Sequence, residues 1–263
     1  MSIQTADLIA EIERWAPLAY AEDWDNSGWQ IDLHPPEVSR ILVALDPVNA
    51  VVGEAREKGA DLVFTHHPLF FEPAKRLEAG VDAGGTAIDL IQAGISLYAA
   101  HTSFDSAPDG MNAVLAEMIG LSGIRLFPEK EDGLYHTFAR QGDFVPLRTF
   151  GDVCLGVEKA LGMEGKLRTV GPFDAMVKTG AVCGGAGGCF LEDVARAGLD
   201  FYLTGDVKHD QALYARAHGI CLIDGGHWGT EHHFIPVMAE RLRTAFGAAI
   251  EVLESETNKS PWF

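Results

Sequence analysis

Basic residues are scarce in this chain. Twenty lysines and arginines face thirty-eight aspartates and glutamates, a formal net charge of −18. Such a chain repels phosphate backbones and offers no basic stripe, which argues against nucleic acid as a partner. An anionic small substrate stays open, because bound cations can dominate the local field of a site. Cysteine is also scarce: Cys154, Cys183, Cys189 and Cys221 form no CxxC pair. That argues against a disulfide framework and a closed thiolate zinc site, and most of the four read as small buried hydrophobes. No apolar run reaches membrane-spanning length, and the opening residues lack a basic n-region and an apolar h-region. The expectation is a cytoplasmic protein with no membrane partner. Gly-x-Ser-x-Gly, GxGxxG and Walker patterns are missing, so neither covalent serine chemistry nor a standard nucleotide loop is supported.

What is present is a globular core. Hydrophobic residues make up 47% and charged residues 22% of 263 positions, enough for one large or two small domains. A helix is expected over 5–20, with Thr5 as N-cap and Leu8, Ile12 and Trp15 on one face. An extended piece follows over 29–33. Strands over 40–45, 61–65 and 95–100 alternate with helices over 49–58, 86–93 and 111–119, several closed by glycine. The second half repeats the order. It has a helix over 150–161, strands over 166–170, 176–182, 200–204 and 220–224, and helices over 190–197, 208–218 and 230–245. Residues 125–148 join the halves through extended strands, and a last strand covers 250–253. The predicted class is α/β with largely parallel sheets. The predicted division is a first repeat, 1–124, and a connecting segment plus second repeat, 125–263, whose final strand crosses to the first.

The chemistry sits at strand ends. The strand over 61–65 runs into His66, His67 and Pro68, where open α/β sheets gather ligands. The last strand of the first half is followed by His101-x-x-x-Asp105, and that of the second by His227-x-x-x-Glu231. The preceding strand of the second half leads into Gly205, Asp206, Val207, Lys208 and His209. Two divalent ions need roughly six to eight protein donor atoms. His66, His67, Asp105, His227 and Glu231 supply three nitrogens and two carboxylates, a set that suits two ions of Zn, Fe, Mn, Co or Ni. His101 reads as a group that orients a ligand or adds to the set. Asp206, Lys208 and His209 read either as acid, base or anion contacts or as a plain helix start capped by Asp206. The glycine-rich loop over 184–188 fits an anion-binding nest or a tight backbone crossing equally well. Asp25 and Asn26 read as an Asx turn.

These residues resemble the GTP cyclohydrolase I type 2 homologue family, the NIF-three-like dinuclear metal proteins. The resemblance is carried by Trp24, Asp25, Asn26, Ser27 and Gly28; by Thr65 to Pro68; by His101 to Asp105 with Gly110, Met111 and Asn112; by Thr204 to His209; and by Asp224 to Glu231. It implies two intertwined similar α/β repeats with mixed sheets. It also implies a toroidal homohexamer and His66, His67, Asp105, His227 and Glu231 as ligands of two metals. The stretch 125–148 leaves no room for the inserted domain of some members. The expected function is a metal-dependent hydrolase of a small molecule, GTP cyclohydrolase-like. The alternative is a non-enzymatic metal-handling (metallochaperone) or scaffold protein. The apolar residues Pro261, Trp262 and Phe263 are expected to dock on a neighbouring copy.

Overall fold

The computed structural model describes residues 1–80, 82–128 and 138–262. Part of the expected connecting segment, 129–137, and Phe263 therefore lie outside the described residues. The chain forms two compact units. The first comprises Met1–Ala107 with Phe234–Phe263, the second Pro108–His233.

The first unit opens with β1 (Ile3–Gln4), α1 (Thr5–Trp15), β2 (Gly28–Ile31) and β3 (Glu37–Val38). Then come β4 (Arg40–Ala44), α2 (Asn49–Lys58), β5 (Leu62–Thr65), α3 (Ala83–Ala93), β6 (Ser96–Ala99) and the short α4 (Thr102–Ser106). Helix α1 buries Leu8, Ile12 and Trp15, as its spacing predicts. It ends short of the expected Tyr20, because Pro17 disfavours helical backbone at Ala16. Leu18–Tyr20 forms a separate 3-10 turn. Gln4, not Thr5, takes the N-cap position, and the Thr5 hydroxyl donates to the Pro35 carbonyl instead.

The second unit holds α5 (Met111–Met118), β7 (Ser122–Phe127), β8 (Ala139–Thr149), α6 (Phe150–Leu161), β9 (Arg168–Val170) and β10 (Met176–Val182). It continues with a 3-10 turn over Gly187–Phe190, α7 (Leu191–Ala197), β11 (Phe201–Thr204), α8 (His209–Ala217), β12 (Cys221–Asp224) and α9 (His227–Glu231). The chain then returns to the first unit with α10 (Phe234–Phe246) and β13 (Glu251–Glu254). The single helix expected over 230–245 is thus two. Pro236 explains the break: its ring would clash with the carbonyl of His232 in an unbroken helix, but is tolerated in a first turn.

The sheets are mixed. In the first unit the order is β13-β4-β5-β6-β2. Strands β13, β4, β5 and β6 are parallel, and β2 is antiparallel to β6. In the second the order is β7-β8-β10-β11-β12-β9. Strands β10, β11 and β12 are parallel, and β9 is antiparallel to β12. The block β4-β5-β6-β2 therefore has the topology of β10-β11-β12-β9. In both, a strand that precedes the parallel triplet in sequence closes the far edge of the sheet. Strands β5, β6, β11 and β12 are buried along their whole length, which is why they read as unbroken apolar runs rather than alternating ones. Leu42, Val51, Val63, Leu90 and Leu97 form the core beside the first sheet. Phe144, Phe150, Val157, Phe201 and Ile223 do so beside the second. These cores hold the carboxyl ends of β5, β6, β11 and β12 in place.

Candidate metal centre

In the first unit, β5 delivers two histidines as it ends. The His67 amide donates to the Leu45 carbonyl (2.9 Å), continuing the pairing one step past the strand. The Thr65 hydroxyl donates to the His67 carbonyl (2.8 Å). His66 is fully buried. Its Nδ1 lies 2.8 Å from the Ala100 carbonyl, and its Nε2 lies 3.7 Å from Asp105 Oδ1. His67 Nδ1 sits 2.7 Å from Asp46 Oδ1. His101, which precedes α4, has Nδ1 2.7 Å from Asp25 Oδ1. One nitrogen from each of His66, His67 and His101 falls within 4.8 Å of the others.

In the second unit, α9 begins directly at His227, so His227 and Glu231 lie one above the other on one helix face. His227 Nε2 is 3.1 Å from Glu231 Oε2, and His227 Nδ1 is 2.8 Å from Asp206 Oδ2. Glu231 is buried. Asp206 adopts φ 53°, left-handed backbone that is uncommon for a non-glycine residue. Strain of that kind survives where the surroundings over-determine it.

A common rule runs through the four histidines. Each places Nδ1 against an oxygen acceptor. In a neutral ring such an acceptor places the proton on Nδ1 and the lone pair on Nε2. At His227 that lone pair meets a carboxylate oxygen at 3.1 Å, and at His66 it meets one at 3.7 Å. An acceptor facing an acceptor is stable only with a cation or a proton between them. The donor set, imidazole Nε2 and carboxylate oxygen with the far ring nitrogen anchored, fits a divalent metal.

Asp25 departs from its expected role. It forms no simple Asx turn but clamps His101. Its Oδ2 also accepts from the Ser27 hydroxyl (2.6 Å) and from the Thr102 amide (3.1 Å) and hydroxyl (2.6 Å). Burial pushes the Asp25 carboxyl up, but the His101, Ser27 and Thr102 contacts outweigh it and hold it well below the usual carboxylate range. Asp206 likewise does not cap α8; Lys208 takes the N-cap position, and Asp206 anchors His227. Lys208 and His209 open α8 with exposed side chains. Sequence reasoning missed Asp46 altogether and missed the anchoring roles of Asp25 and Asp206. A signal existed for two of them, since Asp46 and Asp206 follow the ends of β4 and β11, the same edge that marks the histidines.

The glycine loop resolves as a tight crossing. The Gly184 amide donates to Asn112 Oδ1 (2.6 Å), Gly185 to the Thr230 hydroxyl (2.9 Å) and Gly187 to the Thr204 hydroxyl (2.9 Å). These donors serve the protein, not an anion. A Cβ at Gly185 would collide with Glu231 Oε1 and come within 3.1 Å of His227 Nε2. Gly185 also has φ +62°, so both conformation and space demand glycine there. Next to Glu231, His233 is buried against the Met111 carbonyl, and burial pushes its pKa down to about 4.

Comparison with known proteins agrees with this reading of the fold. A GTP cyclohydrolase 1 type 2 homolog of Nostoc sp. is 36% identical over 246 residues, covering 92% of each chain. One from Streptomyces coelicolor is 33% identical, covering 98% of this chain and 93% of its own. A Staphylococcus aureus hypothetical protein of known structure is 28% identical, with a TM-score of 0.85 over 99% of this chain and 98% of that one. Reduced HcgD from Methanocaldococcus jannaschii is also 28% identical, with a TM-score of 0.84 over 97% and 99%. The family model for Duf34/NIF3 (NGG1p interacting factor 3) matches residues 3–261, and the chain belongs to that family.

Proposed function

We propose that this chain is a dinuclear metal-dependent hydrolase of a small molecule, GTP cyclohydrolase-like in its chemistry. The observation that carries the reading is the acceptor-on-acceptor geometry: imidazole lone pairs set against the carboxylates of Asp105 and Glu231. His66, His67 and Asp105 would hold one part of the metal load and His227 and Glu231 the other. Two divalent ions bound there would supply polarisation of the bond under attack and activation of water at neutral pH.

The chain's own residues do the positioning. Asp46 and Asp206 keep the protons of His67 and His227 on Nδ1. Asp25 does the same for His101, whose other ring nitrogen then serves as a proton acceptor or a further donor to an ion. Lys208 and His209, exposed at the start of α8, are the proposed contacts for an anionic substrate. The names of the Nostoc and Streptomyces relatives support a nucleotide substrate such as GTP. The same reading takes the protein as a homohexamer, with exposed Trp262 packing on a second copy.

The test is elemental analysis of protein purified without added metal, followed by GTP turnover with and without chelation. About two equivalents of metal and a chelator-sensitive turnover are expected. Less than half an equivalent, after incubation with Zn, Mn, Fe, Co or Ni, would refute the metal reading. Full metal with no turnover would favour a metal-handling role. Light scattering that shows a stable monomer would remove the hexamer.

A further inference from the structure

The segment after β13 reaches back to the candidate metal centre. Asn258 is buried, although polar residues surround it in sequence. Its Oδ1 accepts from the Leu45 amide and from the Asp46 amide, the latter at 2.9 Å. Its Nδ2 donates to Asp46 Oδ2 at 3.1 Å. The other oxygen of the same carboxylate, Oδ1, holds His67 Nδ1 at 2.7 Å. Asn258 thus grips both the backbone and the side chain of the residue that orients His67. An amide suits this task, since it offers an acceptor to two N–H groups and a donor to a carboxylate at once.

The segment is itself tied down. Glu54 on α2 is buried. It accepts from the Ser255 hydroxyl (2.6 Å), the Glu256 amide (2.9 Å), and the Thr257 amide (3.2 Å) and hydroxyl (2.7 Å). Ser255 pairs back to the Val43 carbonyl (2.9 Å) and gives its hydroxyl oxygen to the Asn258 amide (3.1 Å). A segment needing only to end a strand would not bury an asparagine or spend a carboxylate on four donors.

We infer that Asn258 is a positioning residue for the metal centre, holding Asp46 so that His67 presents Nε2 and not Nδ1 to the ion. The inference rests on the metal reading of the site, but its core, control of the His67 proton, is measurable without metal. Three variants test it: Asn258→Ala, Asn258→Asp and Asp46→Ala. Asn258→Asp keeps acceptors for the Leu45 and Asp46 amides and replaces the donor to Asp46 with an anion.

In metal-free protein labelled with 15N-histidine, wild type should show His67 as a single tautomer protonated on Nδ1. Both Asn258 variants should shift its two nitrogens toward a mixture. Co2+ titration should show about tenfold weaker binding for Asn258→Ala, the lower end for loss of a ligand-orienting partner. In the Asp46→Ala background the same change should alter affinity by less than about twofold, because the effect runs through Asp46. Equal losses in both backgrounds, or His67 nitrogens unchanged in both variants, would overturn the inference. If Asn258→Ala fails to fold, the His67 nitrogens of Asn258→Asp decide. If wild type takes up no Co2+, the metal reading falls, while the His67 tautomer still decides whether Asn258 controls it.

Discussion

The two His-x-x-x-carboxylate segments occupy the same place in the same topology, yet their surroundings differ. His101 and Asp25 are 12% and 0% exposed at the side chain; His227 and Asp206 are 36% and 48% exposed. Asp25 is braced by Ser27 and Thr102, whereas Asp206 is held in left-handed backbone at the surface. Position in a repeat therefore sets which residue types appear, and burial sets how firmly they are held. Of the two anchoring pairs, the first unit holds the buried one and the second the half-exposed one.

The largest expected effect separates the two anchors. Asp25→Ala leaves buried donors from His101, Ser27 and Thr102 unsatisfied and should cost about 3 kcal/mol in urea unfolding. Asp206→Ala breaks a half-exposed pair and should cost less than about 1 kcal/mol. Equal costs would erase the contrast.

Next comes Glu231→Gln, which should keep the fold by circular dichroism but bind at least one metal about 10- to 100-fold more weakly. An amide offers a neutral oxygen and no charge to a dication. Any hydrolytic activity should fall with the metal. Wild-type affinity for two ions would take Glu231 out of the donor set.

Gly185→Ala should destabilise by roughly 1–2 kcal/mol from its left-handed backbone alone. It should also weaken metal binding by displacing Glu231. Gly198→Ala is the comparison, since that glycine is also left-handed but a Cβ there meets nothing within 4 Å. Stability should fall in both, and metal affinity only in the first.

The smallest effect concerns acid. Burial raises the Glu54 pKa, but the bonds from Glu256, Lys58, Ser255 and Thr257 outweigh it and bring it down to about 2 from 4.5. Because the folded value is depressed, its stabilisation is present above pH 4.5 and is lost as pH falls toward 2. Glu54→Gln should flatten that acid limb in pH-dependent melting. An unchanged limb would mean that the segment after β13 is not held by this carboxylate.

Much of the fold was legible, and the reasons are local. Helices α2 and α6 and strand β10 match their predicted bounds, and Gly59 and Gly162 close the two helices. The misses at α1 and α9–α10 arise where Pro17 and Pro236 break a hydrophobic pattern that continues past them. The four histidines were legible because each lies within three residues of the end of a strand, in both sequence halves. Asp25 was not, because its contact with His101 spans 76 positions and nothing local announces it. Nor was Asn258, whose three side-chain bonds go to residues more than two hundred positions away.

The first unit is discontinuous, and that bears on synthesis. Strand β13 pairs with β4 by joining Glu251 to Arg40 and Glu254 to Val43. Until the ribosome has made those residues, one edge of β4 stays open to pairing with other chains. The second unit, Pro108–His233, is one unbroken stretch and can fold while the first still waits for its closing strand. Nascent chains stalled after His233 should therefore show a protease-resistant second unit and an aggregation-prone first one. Order of completion, not only stability, separates the two halves of this molecule.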